Sequence, residues 1–331
     1  MIDIYFHENY GKLYESIENG ESVPYIFNCK FGTISHLFIK REIPYKVDSN
    51  RYYDLITPYG YGGPLIIDFK ENCKQDLISS FTANFENWCK ENNIVSEFIR
   101  FHPIVKNAID FKSIYKVSFD RYTVGTNIKD YNKPEDVEFS QSCKRNIKKA
   151  LKFGLTYKVN EIIENKDIEN FLLIYYSTMD RNNAKDYYYF DETYFYNCLK
   201  YFPENLITVE VIYDKKIIAM GFYFKFNNIV HIHLSGTLSE YLYLSPAYIL
   251  RYAVALWAKK NNYCYIHHGG GRSNSEEDGL YKFKKQFGIN TKFEFNTGRK
   301  IWNKKIYDNL CKITSSCSDS TYFPAYRQCE K

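Results

Sequence analysis

At 331 residues the chain is long enough for two domains of ordinary size. Its 45% hydrophobic and 25% charged residues exclude a disordered or fibrous protein. A net charge of +5, from 44 basic and 39 acidic residues, permits phosphate-bearing ligands but does not demand nucleic acid, and no DNA partner is expected.

Nine cysteines are scattered at Cys29, Cys73, Cys89, Cys143, Cys198, Cys264, Cys311, Cys317 and Cys329, with no CxxC pair and no zinc-type spacing. They read as small core hydrophobes in a reducing compartment. No signal-peptide pattern opens the sequence and no run of 18 apolar residues occurs, so a cytoplasmic protein is expected. The 33 tyrosines and 25 phenylalanines read as core and groove packing.

In chain order, residues 23–41 predict two strands around a turn at Gly32, and 51–56 a third. The loop TPYGYGGP (57–64) follows. Apolar Leu77, Ile78, Phe81, Phe85 and Trp88 predict a helix over 71–92. Strands are expected at 94–101 and 113–124. Residues 134–153 start with Pro134 and acids, end basic before Gly154, and read as one connecting helix.

Beyond it come a strand at 155–160, helices at 167–180 and 191–201, and a meander over LITVEVIYD, KIIAMGFYFKF and IVHIHLSG. Ser245-Pro246 opens a helix to about 261. A strand (263–269), a helix (276–287), a strand (291–299) and a helix (302–313) complete the pattern, and the chain from about 315 reads as loose. A faint repeat links FENWCKENNIVSEFIRF (85–101) with VALWAKKNNYCYIHHGG (254–270), with Trp88 and Trp257 in matching places.

Three segments could carry chemistry. In 57–64, Gly60, Gly62 and Gly63 allow close backbone approach, and the position before an expected helix suits a phosphate. In SCKRNIKKALKFG (142–154), Arg145 and Lys149 share one helix face and could grip a phosphate or carboxylate; a solvated helix end is the plainer reading. In 267–288, Gly269–Gly271 precede a helix bearing Lys282, Lys284 and Lys285. His231 and His233 alternate onto one strand face, and His267 and His268 could neighbour them. A general base among them fits better than a metal site, since no carboxylate stands at a recognisable spacing; no metal is expected.

The order of elements in the second half is that of the GNAT acyltransferase fold. Four pieces, TPYGYGGP, SCKRNIKKALKFG, SPAYILRYAVALWAKKNN (245–262) and DGLYKFKKQFG (278–288), make the chain resemble the FemABX family. The resemblance implies an α/β (α+β) protein of two tandem GNAT-like domains, each a mixed sheet flanked by helices. The expected layout is an N-terminal domain over 1–133, a connecting helix over 134–154, a C-terminal domain over 155–314 and a tail over 315–331.

It also implies acyl transfer to an amine. The foremost form is aminoacyl-tRNA-dependent addition to a peptidoglycan precursor, either a UDP-sugar-peptide or its lipid-linked form. The alternatives are an acyl-CoA-dependent N-acyltransferase acting on a sugar or other small amine, and a non-catalytic ligand-binding module. No cofactor is expected to be bound; aminoacyl-tRNA or acyl-CoA would be a co-substrate. By carry-over, Tyr59, Gly60, Tyr61 and Arg145 line the acceptor groove, with Gly62, Lys149 and Gly270 as further contacts, and Lys282 or Lys284 faces the reacting centre. Two departures stand out. The helical arm that larger family members insert in the second half is missing. The glycine-rich pyrophosphate loop is absent before 245–262, where the chain reads TLSEYLYLSP. The basic 142–153 segment would permit peripheral membrane contact with a lipid-linked acceptor.

Overall fold

The computed structural model describes residues 2–316 and 322–330. The chain begins with helices α1 (Glu8–Lys12) and α2 (Glu15–Glu18) and strands β1 (Gly20–Cys29), β2 (Gly32–Glu42), β3 (Tyr53–Ile56) and β4 (Leu65–Phe69). Then come α3 (Lys74–Glu91), β5 (Ile94–Arg100), α4 (Ala108–Phe111), β6 (Lys116–Asn127), α5 (Pro134–Glu138), α6 (Gln141–Lys152), β7 (Thr156–Asn160), α7 (Asn165–Arg181) and α8 (Glu192–Tyr201). Strands β8 (Leu206–Tyr213), β9 (Lys216–Phe226) and β10 (Ile229–Thr237) lead to α9 (Pro246–Lys260), β11 (Tyr265–Gly269), α10 (Gly279–Lys285), β12 (Lys292–Ile301) and α11 (Lys304–Ile313). No helix among the described residues is long and apolar enough to cross a membrane.

Two compact units result: residues 1–120 with 294–331, and residues 121–293. These differ from the layout read in the sequence. The segment expected to connect two domains lies inside the second unit, where Cys143, Ile147 and Ala150 of α6 share a core with α9. The last strand and helix of the expected C-terminal domain belong to the first unit.

In the first unit the strand order is β1-β2-β3-β5-β12, with β4 also on β2. Leu77, Ile78, Phe81, Phe85 and Cys89 of α3 recur at helical spacing and bury against Ile34, Phe38, Leu55, Ile94 and Ile99 of the sheet. The Glu97 carboxylate is enclosed there: it accepts from Tyr115 (3.1 Å) and the Trp302 indole (3.1 Å) and meets His36. Within the segment expected to be loose, the described residues 324–327 are packed. Ala325 and Tyr326 are wholly buried, against Tyr307 of α11. Cys317 lies outside the described residues.

In the second unit the order is β6-β11-β10-β9-β8-β7. Strands β7 to β10 are antiparallel, β10–β11 is parallel across the α9 crossover, and β11–β6 is antiparallel. Phe171 of α7 and Phe195 of α8 pack on Phe222 on one face, while α6 and α9 cover Ile207, Val209 and Tyr223 on the other. Asp214 and Lys215 both take positive φ, the turn that matches strand twist in a two-residue hairpin.

The single helix read over 134–153 is two. Phe139 is extended and buried against Phe287 (5.4 Å), and the Ser140 hydroxyl accepts from Cys143 N–H (3.1 Å) to start α6 afresh. The faint repeat has a geometric counterpart. Helices α3 and α9 both end in Asn-Asn: Asn92 and Asn261 each donate their side-chain amide to the tryptophan carbonyl four residues back (2.9 Å), and Asn93 and Asn262 take positive φ (55° and 60°). Each helix then feeds a strand that pairs in parallel, β5 with β3 and β11 with β10.

Candidate active site

The parallel pairing of β10 and β11 covers only Ile229–Tyr265, Val230–Ile266 and His231–His267. Beyond it, β10 shifts register against β9 between His231 and Leu234, and β11 shifts against β6 between His267 and Gly269. Two central strands therefore part at one level, next to the start of the Gly269–Asp278 loop and α10.

Asp278 builds that loop. One carboxylate oxygen caps α10 by accepting from Leu280 and Tyr281 N–H (2.9 Å each); the other accepts from Arg272 and Ser273 N–H (3.1 Å each). The Tyr281 N–H above all, with those of Arg272 and Ser273, lowers its pKa to about 2, so it is ionised at any working pH. The turned loop presents its carbonyls inward: Gly270 O accepts from Lys284 Nζ (2.7 Å) and Gly271 O from Arg121 (2.8 Å). A Cβ at Gly270 would come within 2.9 Å of the Arg121 side chain, which would have to shift.

Lys284 is only partly exposed as a residue, and its ammonium is enclosed. Burial first, then repulsion from Arg251, lowers its pKa to about 7, with Asp278 opposing and Arg121 assisting. An amine that exchanges protons near neutrality is suited to proton transfer or to a switchable positive charge. Its helix neighbours differ. Lys282 is exposed and paired with Glu277, and Lys285 is half-exposed and paired with Glu276.

His268 stands beside it. Thr126 donates its hydroxyl to Phe287 O (2.6 Å) and so accepts the proton of His268 Nε2 (2.8 Å). The opposite ring nitrogen, Nδ1, is bare and buried without a partner. Burial, then Arg251 and Lys284, hold the ring pKa well below its ordinary value, so it stays neutral. His267 bonds Thr123 (2.9 Å) and its ring lies 5.6 Å from that of His231; His233 bonds the Tyr194 hydroxyl (2.7 Å), and burial lowers its pKa to about 3.

The segment that follows α10 is pinned by Glu138, which is fully buried. Its carboxylate accepts from Asn127 N–H (3.3 Å), Asn290 N–H (3.1 Å) and the Thr291 hydroxyl, and its carbonyl accepts from Ile289 N–H (2.9 Å). Glu138→Ala strands three donors, each costing about 1–3 kcal/mol when buried. Denaturant unfolding should show a loss of about 3 kcal/mol, with Glu138→Gln intermediate because it keeps one acceptor. Unchanged midpoints in both variants would remove Glu138 from this role.

The other residues singled out by sequence fall elsewhere. Tyr59, Gly60, Tyr61 and Gly62 belong to the first unit. Their loop is followed by strand β4 rather than the helix expected, so no helix N-terminus backs it for phosphate, and Gly62 N–H is already bonded to Arg100 O (2.7 Å). Tyr61 packs edge-on against Tyr5 (5.3 Å) and Phe295 (5.3 Å), while Tyr10 donates to Tyr59 O (2.8 Å). Gly60 takes φ +96°, with the Tyr5 ring 2.5 Å from any added Cβ. Arg145 and Lys149 lie on the exposed face of α6, Lys149 over the Phe153 ring (5.6 Å). Sequence reasoning missed Arg251, Tyr223, Thr126 and Asp278. Only Arg251 left a trace there, as one charge in the otherwise apolar stretch AYILRYAVALWA.

Residues 138–285 match the family described as Acetyltransferase (GNAT) domain, and this segment holds α6 to α10 with the parted strands and Lys284. This segment is therefore similar to a GNAT acetyltransferase domain, in sequence and in its order of elements. The whole chain has the fold of FemX, whose crystal structure superposes at TM-score 0.71 with 12% identity over 93% of this chain and 94% of that one. The C-terminal DUF2156 domain of an Agrobacterium fabrum protein follows at 0.57 and 10% (92% and 90% covered), and L-PGS from Bacillus licheniformis at 0.52 and 11% (88% and 90% covered). No curated protein sequence matches the chain.

Proposed function

We propose that the protein transfers an aminoacyl group from aminoacyl-tRNA to an amine of a peptidoglycan precursor, in the cytoplasm, with Lys284 at the reacting centre. The observation that carries this reading is the enclosed Lys284 amine, of pKa about 7, beside the parted strands β10 and β11. The acceptor amine attacks the ester carbonyl carbon and the C–N bond forms. The Lys284 ammonium faces the resulting oxyanion. The ester C–O bond then breaks, and the leaving oxygen takes a proton from Lys284, which is replenished by the proton lost from the new ammonium. Neutral His268, with its bare Nδ1, is placed to accept a hydrogen bond from the incoming amine. The UDP-sugar-peptide and its lipid-linked form both present such an amine. The exposed basic face of α6 suits peripheral contact with an anionic membrane surface. The matching Asn-Asn caps of α3 and α9 support an origin of the two units as tandem GNAT-like halves.

A second reading, acyl-CoA-dependent N-acyl transfer, is favoured by the family matched over 138–285. The entry to α9 speaks against it. A 3₁₀ turn over Ser239–Leu244 stands where a glycine-rich loop would cradle the pyrophosphate, and Pro246 at the first helical position has no N–H to offer. The test is a mass-resolved transfer assay with UDP-MurNAc-pentapeptide, comparing aminoacyl-tRNA with acetyl-CoA as donor. Product from the charged tRNA alone supports the first reading, product from acetyl-CoA alone selects the second, and no product on any amine from either donor sinks both.

A further inference from the structure

We propose that Arg251 is the counter-charge for an anionic oxygen, of a phosphate or a carboxylate, carried by the ligand that enters beside Lys284. The inference rests on the transferase reading for what that ligand does, and adds a chemical feature the ligand must have.

The argument starts from helix α9. Around Arg251 the helix is apolar, and Ile249, Leu250, Ala253 and Val254 are buried in the core of the second unit. Arg251 is itself only 5% exposed. Its guanidinium donates one hydrogen bond, to the Tyr223 hydroxyl (3.0 Å), and stands 5.9 Å from that ring. No carboxylate pairs with it among the described residues, and its Nε–H is buried with no acceptor. A buried cation without an anion is among the least favourable arrangements in a folded protein, and an apolar side chain of similar size would pack there more favourably. A guanidinium held in this condition is explained by a partner that arrives with the ligand.

Its place identifies that ligand as the one at the reacting centre. Tyr248 and Arg251 are three residues apart on one face of α9, and Tyr248 meets Phe283 (5.3 Å) of α10 and Phe287 (5.5 Å) just beyond it, on either side of Lys284 in the chain. His268 meets the same Phe287 ring (5.9 Å). Tyr248 and His268 thus both meet Phe287, and the Arg251 charge acts on His268 and Lys284 alike. Arg251 and His268 each carry an unsatisfied buried atom, of complementary sense, a donor on Arg251 and an acceptor on His268. Burial first, and then the Arg251 charge, lowers the pKa of both Lys284 and His268, so the Arg251 charge is felt at both groups.

The experiment uses the full chain at pH 7 and constant ionic strength. Thermal unfolding is followed with inorganic phosphate and pyrophosphate in one arm and with acetate and N-acetylglycine in the other, for wild type, Arg251→Lys and Arg251→Met. The expected result is a saturable rise in Tm of wild type in one arm, weakened about tenfold in midpoint concentration in Arg251→Lys and lost in Arg251→Met, while unliganded Arg251→Met melts no lower than wild type. The arm that responds identifies the oxygen as phosphate or carboxylate. No saturable response in either arm overturns the proposal, as does an equal response in Arg251→Met or a Tm for that variant well below wild type with Arg251→Lys also unresponsive. The two readings fail separately. A protein that binds the anion through Arg251 but transfers no acyl group sinks the transferase reading alone, and one that transfers without an Arg251-dependent response sinks this inference alone.

Discussion

Replacing Lys284 by methionine is expected to lower kcat/KM for acyl transfer by about 100- to 1000-fold, the range seen when one preorganised donor to an oxyanion is removed. Methionine keeps the length of the stem and brings no buried charge, so the fold should persist, and circular dichroism would check this. The pH profile carries a sharper expectation. The reaction needs the ammonium form of Lys284, and burial and Arg251 lower its pKa to about 7. Activity should therefore fall as pH rises through about 7, and Lys284→Arg, which holds its charge, should flatten that limb at reduced rate. Stability runs with the opposite sign. An unfolded lysine titrates near 10.4, so between pH 7 and about 10 the unfolded chain holds a proton that the folded chain has released, and stability from this group rises across that window. Lys284→Met should remove the rise. A rate limb that climbs through pH 7 would instead make Lys284 the base, and turnover unchanged in Lys284→Met would remove it from the mechanism.

The second large effect is structural. Asp54, 1% exposed, joins three parts of the first unit. It accepts from Arg41 of β2 (2.9 Å), from Tyr326 (3.3 Å) and from Arg327 near the end of the chain. Arg41 also reaches Glu18 (3.1 Å), Tyr326 bonds Ser96 (2.7 Å), and Arg327 bonds Glu42 O (2.8 Å). Removing one member of a buried ionic network leaves its partners charged and unpaired, at about 3–5 kcal/mol. Asp54→Ala should thus lower Tm by on the order of 10 °C. Ending the chain before Tyr322 should cost a similar amount, since it removes both Arg327 and the buried Tyr326. If that truncation melts with wild type, the terminal segment contributes nothing to the fold.

These two sites show how differently the sequence reveals its contents. Lys284 stands out in the sequence jointly with Lys282, by a family resemblance carried on DGLYKFKKQFG rather than by its local pattern. Its distinction from Lys282 and Lys285 was not legible, because what separates them is burial under α9 and the carbonyl of Gly270, fourteen residues away. The Asp54–Arg327 contact spans 273 residues and leaves no local mark, so the terminal segment read as loose. The break at Phe139 was hidden for the same reason: the helical pattern runs on, and only packing against Phe287 makes the chain extend there. The loop at 57–64 was read as a phosphate cradle on the assumption of a following helix. The alternation that would have marked β4 is short and half exposed.

By itself the sequence determined the elements of the second unit from β7 to α10, their order and the GNAT-type connection, but not the break at Phe139. Those follow from hydrophobic period, short polar turns and helix-starting prolines, all read within a few residues. The tertiary structure alone decided which segments form each compact unit, which lysine is enclosed and which arginine lacks an anion. Each of these depends on desolvation and on partners far along the chain, and a side chain's charge acquires its chemistry only when water has been removed from around it.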